Sequence, residues 1–203
     1  MHLLSPEAYF DASCLMSEVK PSLVPVSVSE LHLYVYLACI IALWRGNAIG
    51  NWGYTFALTS EGFPFSPELE QGRKKLVHRG TVKLDHDGDM VPDQASLLEE
   101  QSSLFSELRW VDRRNFISAA ANCALTLPGG SIRYAIGRSP GFGSAVALGQ
   151  NSPLLTEFDI DAIYAEYQVI AEALNDQEID LLSPAVVWLS ARVLQNDEAG
   201  NGV

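Results

Sequence analysis

The run from Leu31 to Trp44 constrains the fold more than any other part of this chain. It is apolar apart from His32, and Leu31, Tyr34, Val35, Ala38, Ile41 and Ala42 recur at helical spacing. It is shorter than the roughly 20 residues a membrane span needs, so it reads as a buried core helix. Ser29 is placed to cap it, and Gly46 to stop it, with Arg45 near the negative end of the helix dipole.

Composition supports a folded chain around that helix. Apolar residues make up 48% of the 203 residues, enough for a core in one domain or two small ones. Cys14, Cys39 and Cys123 are far apart and form no CxxC pair, so neither a zinc site nor a redox motif is written here. Free, mostly buried thiols fit a reducing cytosol, and a cytoplasmic location is expected. Met1–Glu7 has neither a basic n-region nor an apolar h-region, so no signal peptide and no membrane are expected.

Three segments are expected. Residues 1–27, with Pro6, Pro21 and Pro25, form an N-terminal extension in which Glu7–Glu18 can make a short helix before an extended connector. Residues 28–127 carry the core helix and a turn-rich crossing, Gly46–Gly53, followed by the apolar piece Tyr54–Leu58. A second clear helix then starts at Ser66-Pro67-Glu68 and ends at Arg79-Gly80. Thr81–Leu84 and Met90-Val91 read as a hairpin with Asp87-Gly88 as its two-residue turn. Helix, crossing, helix and hairpin is the order of a winged helix. Helices at 94–108 and 113–125 complete this segment. Residues 128–203 hold a Gly-rich loop, or a strand pair, over 129–153. An acidic helical part follows, with helices near 158–174 and 184–195, the latter capped by Ser183. The predicted fold class is mainly α with a small β-hairpin: a winged-helix-like N-terminal part and a helical C-terminal part.

Several motifs look chemical and fail on detail. Asp85–Asp89 resembles the start of a calcium loop, but that pattern wants Gly where Met90 stands and Glu where Ser96 stands. Gly137–Ser144 looks like a phosphate loop without the lysine that would reach the phosphates. Gly137-Arg138-Ser139-Pro140-Gly141 spells a nucleophile elbow, yet Pro140 lacks the N–H such an elbow uses, and no His lies beyond His86. His2, His32, His78 and His86 show no metal-ligand spacing. No catalytic residue, metal, cofactor or small-molecule substrate is expected.

Charge points to partners instead. The net charge is −12, and residues 154–203 hold Arg192 against ten acids, which repels phosphate and suits a basic protein surface or plain solubility. Arg73, Lys74, Lys75 and Arg79 form the basic cluster of note, with Lys83 nearby. In a winged helix they would meet DNA, but Glu68 and Glu70 precede them and Asp85, Asp87 and Asp89 stand at the wing, which favours a solvated face or a protein contact. Arg133 and Arg138 lie in a stretch without acids and can pair with a partner's carboxylates. Glu166, Glu172 and Asp176 are the candidate contacts of the acidic part, for a different partner.

Tyr36–Gly46, then Gly50-Asn51-Trp52-Gly53-Tyr54, then Phe65-Ser66-Pro67-Glu68-Leu69, resemble the middle component of ABC-type three-component systems. This is the small accessory (LmuC-like) subunit of Lamassu-type bacterial anti-phage defence. The resemblance covers about residues 30–110 and carries no diagnostic motif. It implies a non-catalytic subunit in a hetero-oligomer, bridging an SMC-like ATPase that senses DNA and an effector, often a nuclease. DNA association would then be indirect. The alternative is a winged-helix transcriptional regulator binding DNA through residues 66–92. An enzyme resting on the Gly-rich loop is the weakest reading.

Overall fold

Ser5 and Pro6 begin the regular structure, the serine as N-cap and the proline at the first helical position. They open α1, Pro6–Glu18, in a computed structural model that describes residues 4–149, 151–174 and 180–200. Every residue from Ala8 to Met16 is buried, so α1 lies at the centre of the core. It packs against α2 (Val28–Trp44), α3 (Pro67–Arg79), α4 (Gln94–Leu104) and α5 (Val111–Thr126), across the boundary expected near residue 27.

The cap of α2 is Ser27 rather than Ser29. Glu30 reaches back to the Ser27 N–H at 2.9 Å while the Ser27 hydroxyl accepts from the Glu30 N–H, a reciprocal capping box that Ser29 cannot make. From Leu31 to Trp44 all of α2 is buried, as an all-round apolar helix requires. After a 3-10 turn at Ile49–Trp52, β1 (Ala57–Leu58) pairs antiparallel with β2 (Pro64–Phe65).

Ser66 and Pro67 start α3 as expected, and Gly80 ends it at φ 78°. Within α3, Gly72 meets α1 so closely that a Cβ would sit 2.8 Å from the Ala8 carbonyl oxygen. Glycine is what lets these two backbones touch. β3 (Val82–Leu84) then pairs with β4 (Met90–Pro92). The tip differs from the expected two-residue turn. Asp85 N–H donates to the Asp89 carbonyl at 2.9 Å, leaving three residues at the tip with Gly88 at φ 86°. The Asp85 carboxylate holds that longer tip by accepting from the Asp87 and Asp89 N–H groups at 2.9 and 3.0 Å.

The stretch 129–153, expected as a loop or strand pair, instead contains two short helices, α6 (Gly129–Ile136) and α7 (Phe142–Leu148). Ile132, Ala135 and Ile136 bury one face of α6, and Phe142 and Ala145 anchor α7, so packing overrides the glycines. α8 (Glu157–Ala173) and α9 (Leu182–Gly200) follow. Asp180, not Ser183, supplies the capping oxygen for α9, accepting from the Ser183 N–H at 2.6 Å. The molecule is thus mainly helical with two small antiparallel hairpins. Among the described residues, no helix is long and apolar enough to cross a membrane.

Candidate functional site

The basic residues of α3 face carboxylates. Arg73 grips Glu70 with two hydrogen bonds of 2.7 and 2.8 Å, and Lys74 Nζ lies 3.3 Å from the same carboxylate. Arg79 turns toward α4, with Nε 3.5 Å from Glu100, a buried side chain that also accepts from the Tyr9 hydroxyl. Lys75 and Lys83 are exposed. The cluster is therefore a mixed-charge face rather than a bare cationic stripe.

Beneath it lies His32, fully buried on α2 and stacked on Phe65. Its Nδ1 accepts from the Ser66 N–H at 3.2 Å, so it helps fix the start of α3 and carries its proton on Nε2. Nε2 faces Glu70 at 4.0 Å, too long for a hydrogen bond. Burial lowers the pKa of His32 from its ordinary 6.5. On acidification the unfolded chain takes up a proton that the folded chain refuses. Stability is therefore full above about pH 6.5 and falls as the pH drops toward the folded value. The urea midpoint is expected to fall between pH 7 and pH 5. His32→Asn, whose amide oxygen can still accept from Ser66, should flatten that slope, and an unchanged slope would exclude His32 as its source.

The hairpin tip brings Asp85, His86 and Asp87 close enough to share a cation, but Asp85 is occupied by its two backbone N–H donors. A turn accounts for these residues. Ser139 is buried at the turn between α6 and α7, not raised on an elbow.

Arg133 is exposed, and its Nη2 donates to the Glu61 carbonyl at 2.8 Å. Arg138 lies over the Tyr134 ring at 4.7 Å. Glu166 is half-buried and engaged within the chain, accepting from Trp188 Nε1 at 2.9 Å and from Arg192, so it ties α8 to α9. Glu172 is exposed, and Asp176 lies outside the described residues.

A buried polar cluster between α1 and α5 was not foreseen from the sequence. Arg113 on α5 meets Asp11 on α1 through Nε at 2.5 Å and Nη2 at 2.6 Å, and Nη2 also donates to the Trp52 carbonyl at 2.8 Å. The Tyr54 hydroxyl donates to Asp11 at 2.5 Å, and the guanidinium lies 3.9 Å from the centre of the Trp52 ring. Burial pushes the Asp11 carboxyl above its ordinary value, against the pull of Arg113 and the hydrogen bonds it accepts. Burial also opposes the Arg113 charge, but Asp11 more than offsets it and holds the guanidinium above its usual value. The two-point, fork-on-fork geometry is that of a charged pair. Beside the pair lies a cavity of about 230 Å³, walled by Ile49, Asn51, Trp52, Trp110 and Arg113.

No protein-family model, no curated protein and no solved structure matches the chain.

Asp11 is held by three donors, and Cys39, which also lines the cavity, is pushed up by burial and stays a thiol. Cys14 is raised in the same way, and Cys123 is pushed up to about 12. All three cysteines are free and buried. A lone acid in the apolar stretch Tyr9-Phe10-Asp11-Ala12 was the available signal, since a buried carboxylate needs a cation.

Proposed function

We propose that this chain is a non-catalytic accessory subunit bridging an SMC-like ATPase and an effector, expected to be a nuclease, in a bacterial anti-phage defence complex of the Lamassu type. The observation that carries this reading is the pairing of Arg73 and Lys74 with Glu70 and of Arg79 with Glu100. A face whose cations are partly answered within the chain releases fewer counterions from DNA and suits a protein partner of mixed charge. Exposed Leu98 and Val111 line an open groove with Phe105 nearby, adding apolar contact area.

Co-expression with an SMC-like ATPase and an effector nuclease from one operon tests the bridge. The three are expected to purify as one complex that separates when this chain is omitted. An ATPase–effector complex that forms equally well without it overturns the proposal.

The second reading, a winged-helix regulator using residues 66–92, draws on a different observation. α1, α2 and α3 precede the β3–β4 hairpin, and Val26, between α1 and α2, exchanges hydrogen bonds of 2.9 and 2.8 Å with Met90. That order and pairing suit a winged helix. A gel shift at low salt separates the two readings. The isolated chain is expected to bind duplex DNA no tighter than the roughly 10⁻⁴–10⁻⁶ M of non-specific association. Nanomolar binding would favour the regulator.

A further inference from the structure

The cavity beside the Asp11–Arg113 pair plays no part in that reading and stands apart from it. We infer that it binds a small uncharged heteroaromatic molecule of the nucleobase or nucleoside class, held by Arg113 through a ring carbonyl or ring nitrogen. Binding here needs no chemical step, so the site fits a ligand that is sensed rather than turned over.

Arg113 supplies the first ground. A guanidinium has five N–H groups. Three are committed, one on Nε and two on Nη2, to Asp11 and the Trp52 carbonyl. The two on Nη1 have no partner among the described residues. The side chain is only 10% exposed, and it lines the cavity. Donors so placed are open to an acceptor in the cavity, and Trp52 Nε1 of the same lining is buried without a partner among the described residues.

Charge decides what kind of acceptor. The cation is already answered by Asp11, and two further carboxylates, Glu7 and Asp112, line the same cavity. Arg109 lines the cavity too but is itself 2.9 Å from Glu107. No net positive charge is left for a phosphate or a carboxylate, whereas a neutral carbonyl or ring nitrogen loses little on entering.

Shape and the remaining polar groups narrow the class. Trp52, Trp110, Ile49 and Phe116 offer apolar walls suited to a flat ring. Asn47 and Asn51 carry amides, which donate and accept at once, as the edge of a base does. At about 230 Å³ the space is smaller than the roughly 300–1,000 Å³ of sites for drug-sized ligands. One ring system fits, and a phosphate tail would be turned toward Glu7 and Asp112.

Tryptophan fluorescence of the full chain reads binding directly, since Trp52 and Trp110 line the site. Adenosine, guanosine, cytidine and uridine are titrated beside guanosine monophosphate, benzoate and inorganic phosphate, with calorimetry as a second readout. At least one nucleoside is expected to saturate the signal, with the monophosphate about tenfold weaker or worse and benzoate and phosphate silent. Ala48→Leu, an exposed position at the cavity wall, should keep the melting temperature and lose about tenfold or more in affinity. Arg113→Lys keeps the charge but loses the fork on Asp11 as well as Nη1, so its melting temperature should fall and its affinity drop about tenfold or more. The inference is overturned if no nucleoside binds at millimolar concentration. It is equally overturned if the anions bind as well as the nucleosides, or if a folded Ala48→Leu chain binds them unchanged.

Discussion

Trp44→Ala is expected to destabilise the protein by about 3–5 kcal/mol, the cost of truncating a large buried aromatic side chain. Trp44 is 4% exposed and ends α2. Its ring stacks on Tyr167 of α8 at 5.3 Å and 6°, and meets Trp188 of α9 edge-on at 5.6 Å and 72°. One side chain thus joins the central helix to both helices of the acidic part, and its loss leaves a void facing two other aromatics. The indole N–H has no hydrogen-bond partner, so Trp44→Phe should lose volume but no hydrogen bond and recover much of the stability. Urea denaturation followed by circular dichroism gives both values. Assembly with partners should fail in Trp44→Ala in step with the fold. A Trp44→Ala chain as stable as its parent would show that α8 and α9 do not depend on this contact.

The elements legible in the sequence were those whose own residues settle their environment. An unbroken apolar run with a stop glycine can only be a buried helix, and α2 is one. Ser66-Pro67-Glu68 opens α3 by local hydrogen bonding alone. The cap of α2 was legible too, since Ser27 and Glu30 stand in the S-x-x-E spacing of a capping box, but Ser29 drew the assignment away. Six glycines between 129 and 153 suggested a loop, because α6 and α7 are too short to show more than one turn of apolar spacing.

The site was harder to read because its partners are distant in sequence. Asp11 and Arg113 are 102 residues apart, and nothing in a single sequence says which base answers a buried acid. Glu166 was read as a contact for a basic partner. Arg192, the one base of that acidic stretch, lies 26 residues on and was the hint that this carboxylate is paired within the chain. Charge totals predict a surface on average, and burial picks out the exceptions.

Breaking the Asp11–Arg113 pair is the other large effect, and its direction depends on how it is broken. Arg113→Met should cost about 3–5 kcal/mol, because it leaves the fully buried Asp11 carboxylate without its cation. It also strips the Trp52 carbonyl of its donor and uncovers one face of the Trp52 ring. Asp11→Leu alone should be comparably harmful, stranding a guanidinium that sits among apolar walls. The double variant, Asp11→Leu with Arg113→Met, removes both charges and keeps most of the volume. It should lose clearly less than the sum of the single losses, since no ion is then left unpaired. Lys74→Met is the control, as its exposed ammonium is only one of two cations on Glu70 and should contribute about 1 kcal/mol or less. Single losses that simply add in the double variant would mean that Asp11 and Arg113 act independently. The Arg113 side chain would then be held by Trp52 and the backbone rather than by the carboxylate.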